Sequence, residues 1–463
     1  MRYYSVLLTV LMLSSLLFGQ GTGVPIDGGG IPLDDNEFSS NAVLIEPPVG
    51  NASITIENTS GPVNNNQYAI INNLHISGYY ENDFNMYLIS DEVLTQDYNR
   101  IRIDIESKPS KHVMTRIGFI GNNYLGLKSF PYIQLLPRHV VDTAGISSEY
   151  WQYFNYTFKD SIVLDNAYIV WSPDFLQFKI GKQTINRGTG YVWNPTDVFN
   201  TKNAFDPTYE KPGVTAAVIT RTWKHGGNAN IILTPAEQGK YMKKELILQQ
   251  KLGFTWTASY CETPAATSFL TWKNMPMTVP HMTIPGMYTL VDVPIAVEQR
   301  IEKRAGGDFV GDIHGLEIRG EGVYILSGNA DGQEYWEALG GMQYFFSIGM
   351  MMMTEYFYNS AGRAGADEYT FNDWLRYYIG ETDSLAQHYL FYMIQQNIGA
   401  FGKGSTSVLY NVDDNSVGLI PRLDWSLAEN FDLTVFGLIT TGTVNSEYYA
   451  GQSQAQIRVK VYF

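Results

Sequence analysis

The sequence predicts an all-β fold, a transmembrane antiparallel up-and-down β-barrel of about 14 strands, within roughly 12–16 and even in number. Three observations lead there. From Tyr68 onward, short segments alternate polar and apolar side chains and are separated by Gly, Asn, Asp and Pro clusters, the period of a strand with two unlike faces. No stretch after the N-terminus reaches the ~18 uninterrupted apolar residues of a membrane helix. The last segment keeps the alternation up to Phe463.

Composition narrows the class. The 463 residues carry 46 Asp+Glu against 31 Lys+Arg, a net charge of −15, which argues against a nucleic-acid coat. A single cysteine excludes an intrachain disulfide framework and a Cys-clustered zinc site. A mean hydropathy of −0.15 excludes a helical membrane bundle but suits a barrel, whose lipid and lumen faces average out.

Three regions follow in order. Residues 1–19 read as a secretory signal peptide. Arg2 precedes an apolar run from Val6 to Phe18, and cleavage is expected after Gly19. Residues 20–66, rich in Gly, Pro, Asn and Asp, read as a flexible periplasmic leader. Residues 67–463 form the barrel.

Within the barrel, each strand is justified by its faces. Arg100, Arg102, Asp104 and Glu106 alternate with Ile101, Ile103 and Ile105. Gln177, Lys179 and Gln183 share one face, with Phe178 and Ile180 on the other. Glu317, Arg319 and Glu321 oppose Leu316 and Ile318; Arg422 and Asp424 oppose Leu423 and Trp425. Arg458 and Lys460 oppose Ile457, Val459 and Val461. Short turns are expected at 429–430, near 401–404 and at 346–347, and a long loop from 360 to about 384 on the opposite side. Strands are hard to assign between 236 and 312. Tyr, Trp and Phe at the segment ends, as at 149–154 and 355–359, are expected to form interfacial girdles.

The most distinctive motif is GKQTINRGTGYVWNPTDVFN, residues 181–200, after a strand pair turned by Ser172, Pro173 and Asp174. It contains Gly181, Gly188, Gly190, Asn194, Pro195 and Asp197. The segment resembles porin-like bacterial outer-membrane barrels, including alginate-export-like and related uncharacterised families. In those a strand ending Gly-Arg-Gln leads to Trp-Gly-x-Gly and then Asn-Pro-x-Asp. Here Lys182 stands where Arg is commoner, and Arg187 where Trp is commoner. The polar/apolar final strand ending in Phe463 likewise resembles the signal read by the outer-membrane barrel assembly machinery. The resemblance implies an outer-membrane location, contact with membrane lipid and lipopolysaccharide, and homo-oligomers as in many porins. The motif loop either folds into the lumen and narrows it, or seals the strand ends.

The inward charges, with Arg187 and Glu355 added, make eight cations against six anions. They serve either as salt-bridge ladders that hold the lumen or as guides for solute. Other chemistry finds little support. Gly188 and Gly190 are followed by no Gly-Lys-Ser/Thr, so they are no phosphate loop. His314 beside Asp312 reads as a polar lumen residue, Cys261 as a plain thiol, and Met275, Met277, His281, Met282 and Met287 as gap filler rather than a copper(I) site. The expected function is passive diffusion of small polar solutes, with no catalytic residue, metal, cofactor or nucleic acid. The alternatives are an occluded structural, adhesive or export-partner barrel, and an outer-membrane hydrolase.

Overall fold

Alternating segments can satisfy their backbone groups only against neighbours, and here each pairs with the next. The computed structural model describes residues 54–55 and 74–463, apart from 90–91, 132, 134–135, 145–154, 201, 203, 224–225, 236–242, 271–294, 328–333, 379–381 and 450–451. The signal peptide, the leader save 54–55, the aromatic segment 149–154 and the Met/His loop therefore lie outside the described residues.

The wall strands are β1 (Leu74–Ile89), β2 (Glu92–Ser110), β3 (Val113–Gly126), β4 (Ser161–Trp171), β5 (Leu176–Gln183) and β6 (Val214–Trp223). Next come β7 (Gly227–Leu233), β8 (Lys244–Leu252), β9 (Phe254–Leu270), β10 (Ile295–Ile313), β11 (Leu316–Ser327) and β12 (Tyr335–Phe345). The last six are β13 (Met350–Asn359), β14 (His388–Ile398), β15 (Gly402–Asn411), β16 (Ser416–Ala428), β17 (Phe431–Thr441) and β18 (Gln452–Tyr462). Every neighbour pair is antiparallel. β1 also pairs β18, with Tyr79 opposite Tyr462 and Ile89 opposite Gln452. The sheet is thus closed and has no free edge.

The wall has 18 strands, not about 14. The shortfall has local causes. A single residue, Gly253, separates β8 from β9, so two strands read as one segment. β7 has only 7 residues, too few for alternation to stand out. Three strands, β8 to β10, crowd the unassigned region.

Loop lengths alternate along most of the wall. Connections at 111–112, 172–175, 253, 314–315, 346–349, 399–401 and 429–430 are short, whereas 127–160, 184–213 and 360–387 are long; 412–415, on the long-loop side, departs from this and is short. His314 and Gly315 form one such turn with φ of +56° and +85°. Positive φ at both central positions matches the twist of the flanking strands. Asp312 accepts the Gly315 N–H at 2.9 Å, so the Asp312/His314 pair builds the turn.

Outside, Ile101, Ile103, Ile117, Phe119, Ile169 and Ile180 are exposed in one belt. Trp171, Trp256 and Phe345 stand exposed at the short-turn end, and Tyr324, Trp336 and Tyr356 nearer the other. Inside, the wall is not polar throughout. On β12 to β17 the inward residues Leu339, Met351, Met353, Phe357, Tyr389, Phe391, Met393, Leu409, Ile420 and Phe436 are buried. They pack with Val140 and Val141 of α1 (Arg138–Thr143) and Trp374 and Leu375 of α2 (Phe371–Tyr378). One side of the interior is therefore dry, because two long loops fold onto it.

Candidate functional site

The connection 184–213 leaves β5 and enters the barrel. Along the loop, contact partners lie on successive walls. Arg187 meets Glu245 on β8 at 3.2 Å. The N–H groups of Thr189 and Gly190 donate to Glu321 on β11, each at 3.2 Å, and those of Tyr191 and Val192 donate to Glu355 on β13 at 2.5 and 2.9 Å. Asp206 then reaches Arg422 on β16 and Arg458 on β18, at 2.9 and 3.0 Å. Glu210 reaches Arg100 and Arg102 on β2 at 3.1 and 2.9 Å, and Lys460 on β18 at 3.4 Å. Gly213 N–H returns to Asp165 on β4 at 3.1 Å. The loop thus follows the inner wall around the barrel instead of sealing the strand ends.

Its sequence explains its shape. Gly188 has φ +79°, and a Cβ there would lie 2.4 Å from Glu321 Oε1. Only glycine admits both the backbone angle and the carboxylate. Asn194 C=O accepts from Asp197 N–H at 2.9 Å, closing the turn that Pro195 initiates. Thr196 adds its N–H and hydroxyl to Glu321 at 2.9 and 2.5 Å. A fully buried carboxylate is costly unless hydrogen-bonded, and four loop donors meet Glu321. Asp197 accepts from Phe199 and Asn200 N–H at 3.0 and 3.1 Å. Its cationic partner is Lys211 at 2.7 Å.

The two limbs of the loop are held by different chemistry. The first limb is also apolar: Trp193 stacks on Phe357 at 5.2 Å and Tyr191 on Phe391 at 5.5 Å. The second limb is ionic. Burial would raise the Asp206 carboxyl, but Arg422 and Arg458 hold it below the usual range. Glu210 is likewise held down by Lys460, Arg100 and Arg102 against its burial. Two lysines tie limb to limb: Lys211 to Asp197, and Lys202, which donates to Gly190 and Tyr191 carbonyls at 2.6 and 3.0 Å. Burial pushes the Lys202 ammonium down to about 8.

The sequence-selected side chains all sit on inward positions or on this loop, but they divide by exposure. Arg100, Asp104, Gln183, Arg319, Glu321 and Glu355 are buried. Glu355 and Glu321 anchor the loop, and Arg319 donates to Thr189 C=O at 3.3 Å and pairs with Glu317. Arg102, Glu106, Lys179, Arg187, Glu317, Arg422, Asp424, Arg458 and Lys460 are half-buried, and Gln177 is exposed. Gly181 has φ +125° beside the Ala167 carbonyl. Among the described residues the expected cation excess disappears. Glu81, Asp83, Asp165, Glu245, Glu302, Asp308 and Glu337 also take inward positions, against Arg116, Arg304 and Lys403. Glu81 and Asp83 were legible in principle, since they alternate with Tyr80, Asn82 and Phe84. Asn82 breaks the apolar face there, which hides the pattern.

No family model and no curated protein matches the chain. Solved structures do. OccAB1 of Acinetobacter baumannii is similar with a TM-score of 0.50 and 11% identity, over 84% of this chain and 96% of that one. The outer membrane protein OpdK from Pseudomonas aeruginosa matches with a TM-score of 0.50 and 7% identity, over 85% and 99%. OccAB4 of Acinetobacter baumannii gives 0.50 and 6%, over 84% and 98%. At such identities the likeness is one of fold.

Proposed function

We propose that this chain is a porin-like barrel of the bacterial outer membrane through which small polar solutes diffuse passively. The observation that carries the reading is the loop 184–213, which runs inside a closed barrel against a charged wall. Barrels of 16–18 strands are too wide for side chains alone to fill, and an inserted loop narrows such a lumen. The apolar outer belt suits lipid. The half-exposed inward groups, including Arg102, Glu106, Lys179, Glu317, Arg422 and Asp424, are those assigned to meet solute. Residues 1–19 direct export, Phe463 serves barrel assembly, and membrane lipid, lipopolysaccharide and further copies of the chain are the assigned partners. No bond-making step is involved.

A second reading, an occluded barrel, is favoured by the apolar cluster on β12 to β17 and by the Lys211–Asp197 tie between the limbs. Planar-bilayer recording separates the two. The porin reading expects conductance steps from the purified full chain. Absence of steps, both in the full chain and after removal of residues 21–66, would leave the occluded barrel.

A further inference from the structure

We propose that the cleft between turns 111–112 and 172–175, at the short-turn end of the barrel, binds an oxyanion, the carboxylate or phosphate group of a small solute. The cleft encloses about 530 Å³ and is lined by Lys108, Lys111, His112, Gln177 and Lys179, over an apolar floor of Val113, Met114 and Val170. Its walls are tied together. Ser172 N–H donates to His112 C=O at 2.8 Å, and the His112 ring Nδ1 lies 2.9 Å from Ser172 C=O. The two turns therefore hold one geometry, and the His112 Nε2 is left for another partner. Ser110 and Ser172 place hydroxyls on the rim, where they accept from His112 N–H and Gln177 Nε2 at 3.3 and 3.2 Å.

The charge of the cleft is what singles it out. Elsewhere inside the barrel, Arg100, Arg102, Arg116, Arg304, Arg319 and Arg458 each lie within 4 Å of a carboxylate. Here Glu106 engages Lys108 at 2.9 Å, and Asp174 sits in the turn 172–175 without an ion pair to the cleft lysines among the described residues. Among the described residues, neither Lys111 nor Lys179 has a carboxylate partner. Lys179 lies over the Tyr168 ring, 4.1 Å from its centroid, which orients the ammonium without neutralising it. The nearby Arg116 is spoken for by Asp104 at 3.2 Å. Two uncompensated ammonium groups, an imidazole nitrogen and an amide facing one cleft make an acceptor-rich group the matching ligand.

The test uses the full chain purified in detergent and titrated calorimetrically with succinate and, separately, with inorganic phosphate. Saturable binding of either anion in the millimolar range is expected, and which of the two binds tells carboxylate from phosphate. Lys179→Gln should weaken it at least tenfold, with Lys111→Gln intermediate. Lys128→Gln, an exposed lysine at the opposite end, should leave it unchanged. Unaltered circular dichroism and melting of each variant exclude misfolding. The proposal is overturned if neither anion binds the unmodified chain, or if Lys179→Gln binds as well as it. Because binding is read without current, it is separable from the porin reading. A chain that conducts but does not bind loses only this site, and one that binds but does not conduct loses only the channel.

Discussion

Gly78 and Phe463 exchange both backbone hydrogen bonds, Gly78 N–H to Phe463 C=O at 2.9 Å and Phe463 N–H to Gly78 C=O at 3.0 Å. They form the lowest rung of the β1–β18 seam. A Cβ at Gly78 would sit 2.1 Å from the Arg102 carbonyl oxygen on β2 and 2.8 Å from the Phe463 ring. Gly78 thus makes room for the ring on the outer face, where Phe463 is 38% exposed.

Two changes at this rung should act alike. Deleting Phe463 removes the last pair of seam bonds, and Gly78→Val crowds the ring and the Arg102 carbonyl of β2 while leaving Phe463 in place. Both are expected to lower the yield of folded barrel in outer-membrane fractions several-fold. Normal yield for both would remove the seam from any role in assembly.

Gly188→Ala places a methyl group against Glu321 and forces a left-handed angle on alanine. A cost of about 1–3 kcal/mol is expected, visible as a lower melting temperature of the purified chain. The companion change Glu321→Gln should not offset it, because the amide nitrogen would face loop donors and leave them without an acceptor. A melting temperature for Gly188→Ala equal to that of the unmodified chain would show that the loop is not held at Glu321.

The ionic limb of the loop should be the releasable one. Asp206→Asn with Glu210→Gln strips two carboxylates from Arg422, Arg458, Arg100, Arg102 and Lys460. Arg422, Arg458, Arg102 and Lys460 each keep another carboxylate, Asp424, Asp83, Asp104 and Glu81, so the cost falls well below the ~3–5 kcal/mol of leaving a buried charge unpaired. Single-channel recordings of the double variant should show larger or more variable steps than the parent. Trp193→Ala, on the apolar limb, should instead lower stability. Identical current traces for parent and double variant would place this limb outside the conducting path.

Glu447 gives the long-loop end a pH dependence. It accepts from Tyr389 Oη at 2.7 Å and Asn411 Nδ2 at 2.8 Å, and Asp414, which accepts the Glu447 N–H at 2.7 Å, stands beside it. Burial, then the Asp414 charge, push its carboxyl up to about 7. A raised carboxyl stabilises the folded cluster at low pH, and that contribution fades as pH rises through about 7. Hydrogen exchange of 442–449, corrected for intrinsic rates, should therefore quicken between pH 5 and 8, by about tenfold or more. In Glu447→Gln the dependence should vanish. If the variant keeps it, another group governs this end.

Much of the wall was legible because strand alternation is a local property. Arg100 to Glu106 and the residues of β18 declare their faces without reference to partners. Strand number was less legible, since it depends on boundaries, and a one-residue turn at Gly253 leaves no mark in the periodicity. Of the site, the glycines and the Asn194–Pro195 turn announced an unusual loop, but not where it would go. Sequence alone placed Glu321 and Glu355 inward by period and then read them as lumen groups. Only the closed barrel brings them to loop amides 125 to 164 positions away, because closure sets which walls face each other. The same holds for Asp206 and Glu210, whose cations come from both ends of the chain. What the sequence by itself determined was a two-faced wall, charged within and apolar without. What tertiary structure decided was that one side of the interior is packed with apolar side chains and that a loop circles it, because packing of distant segments has no signature in a period of two.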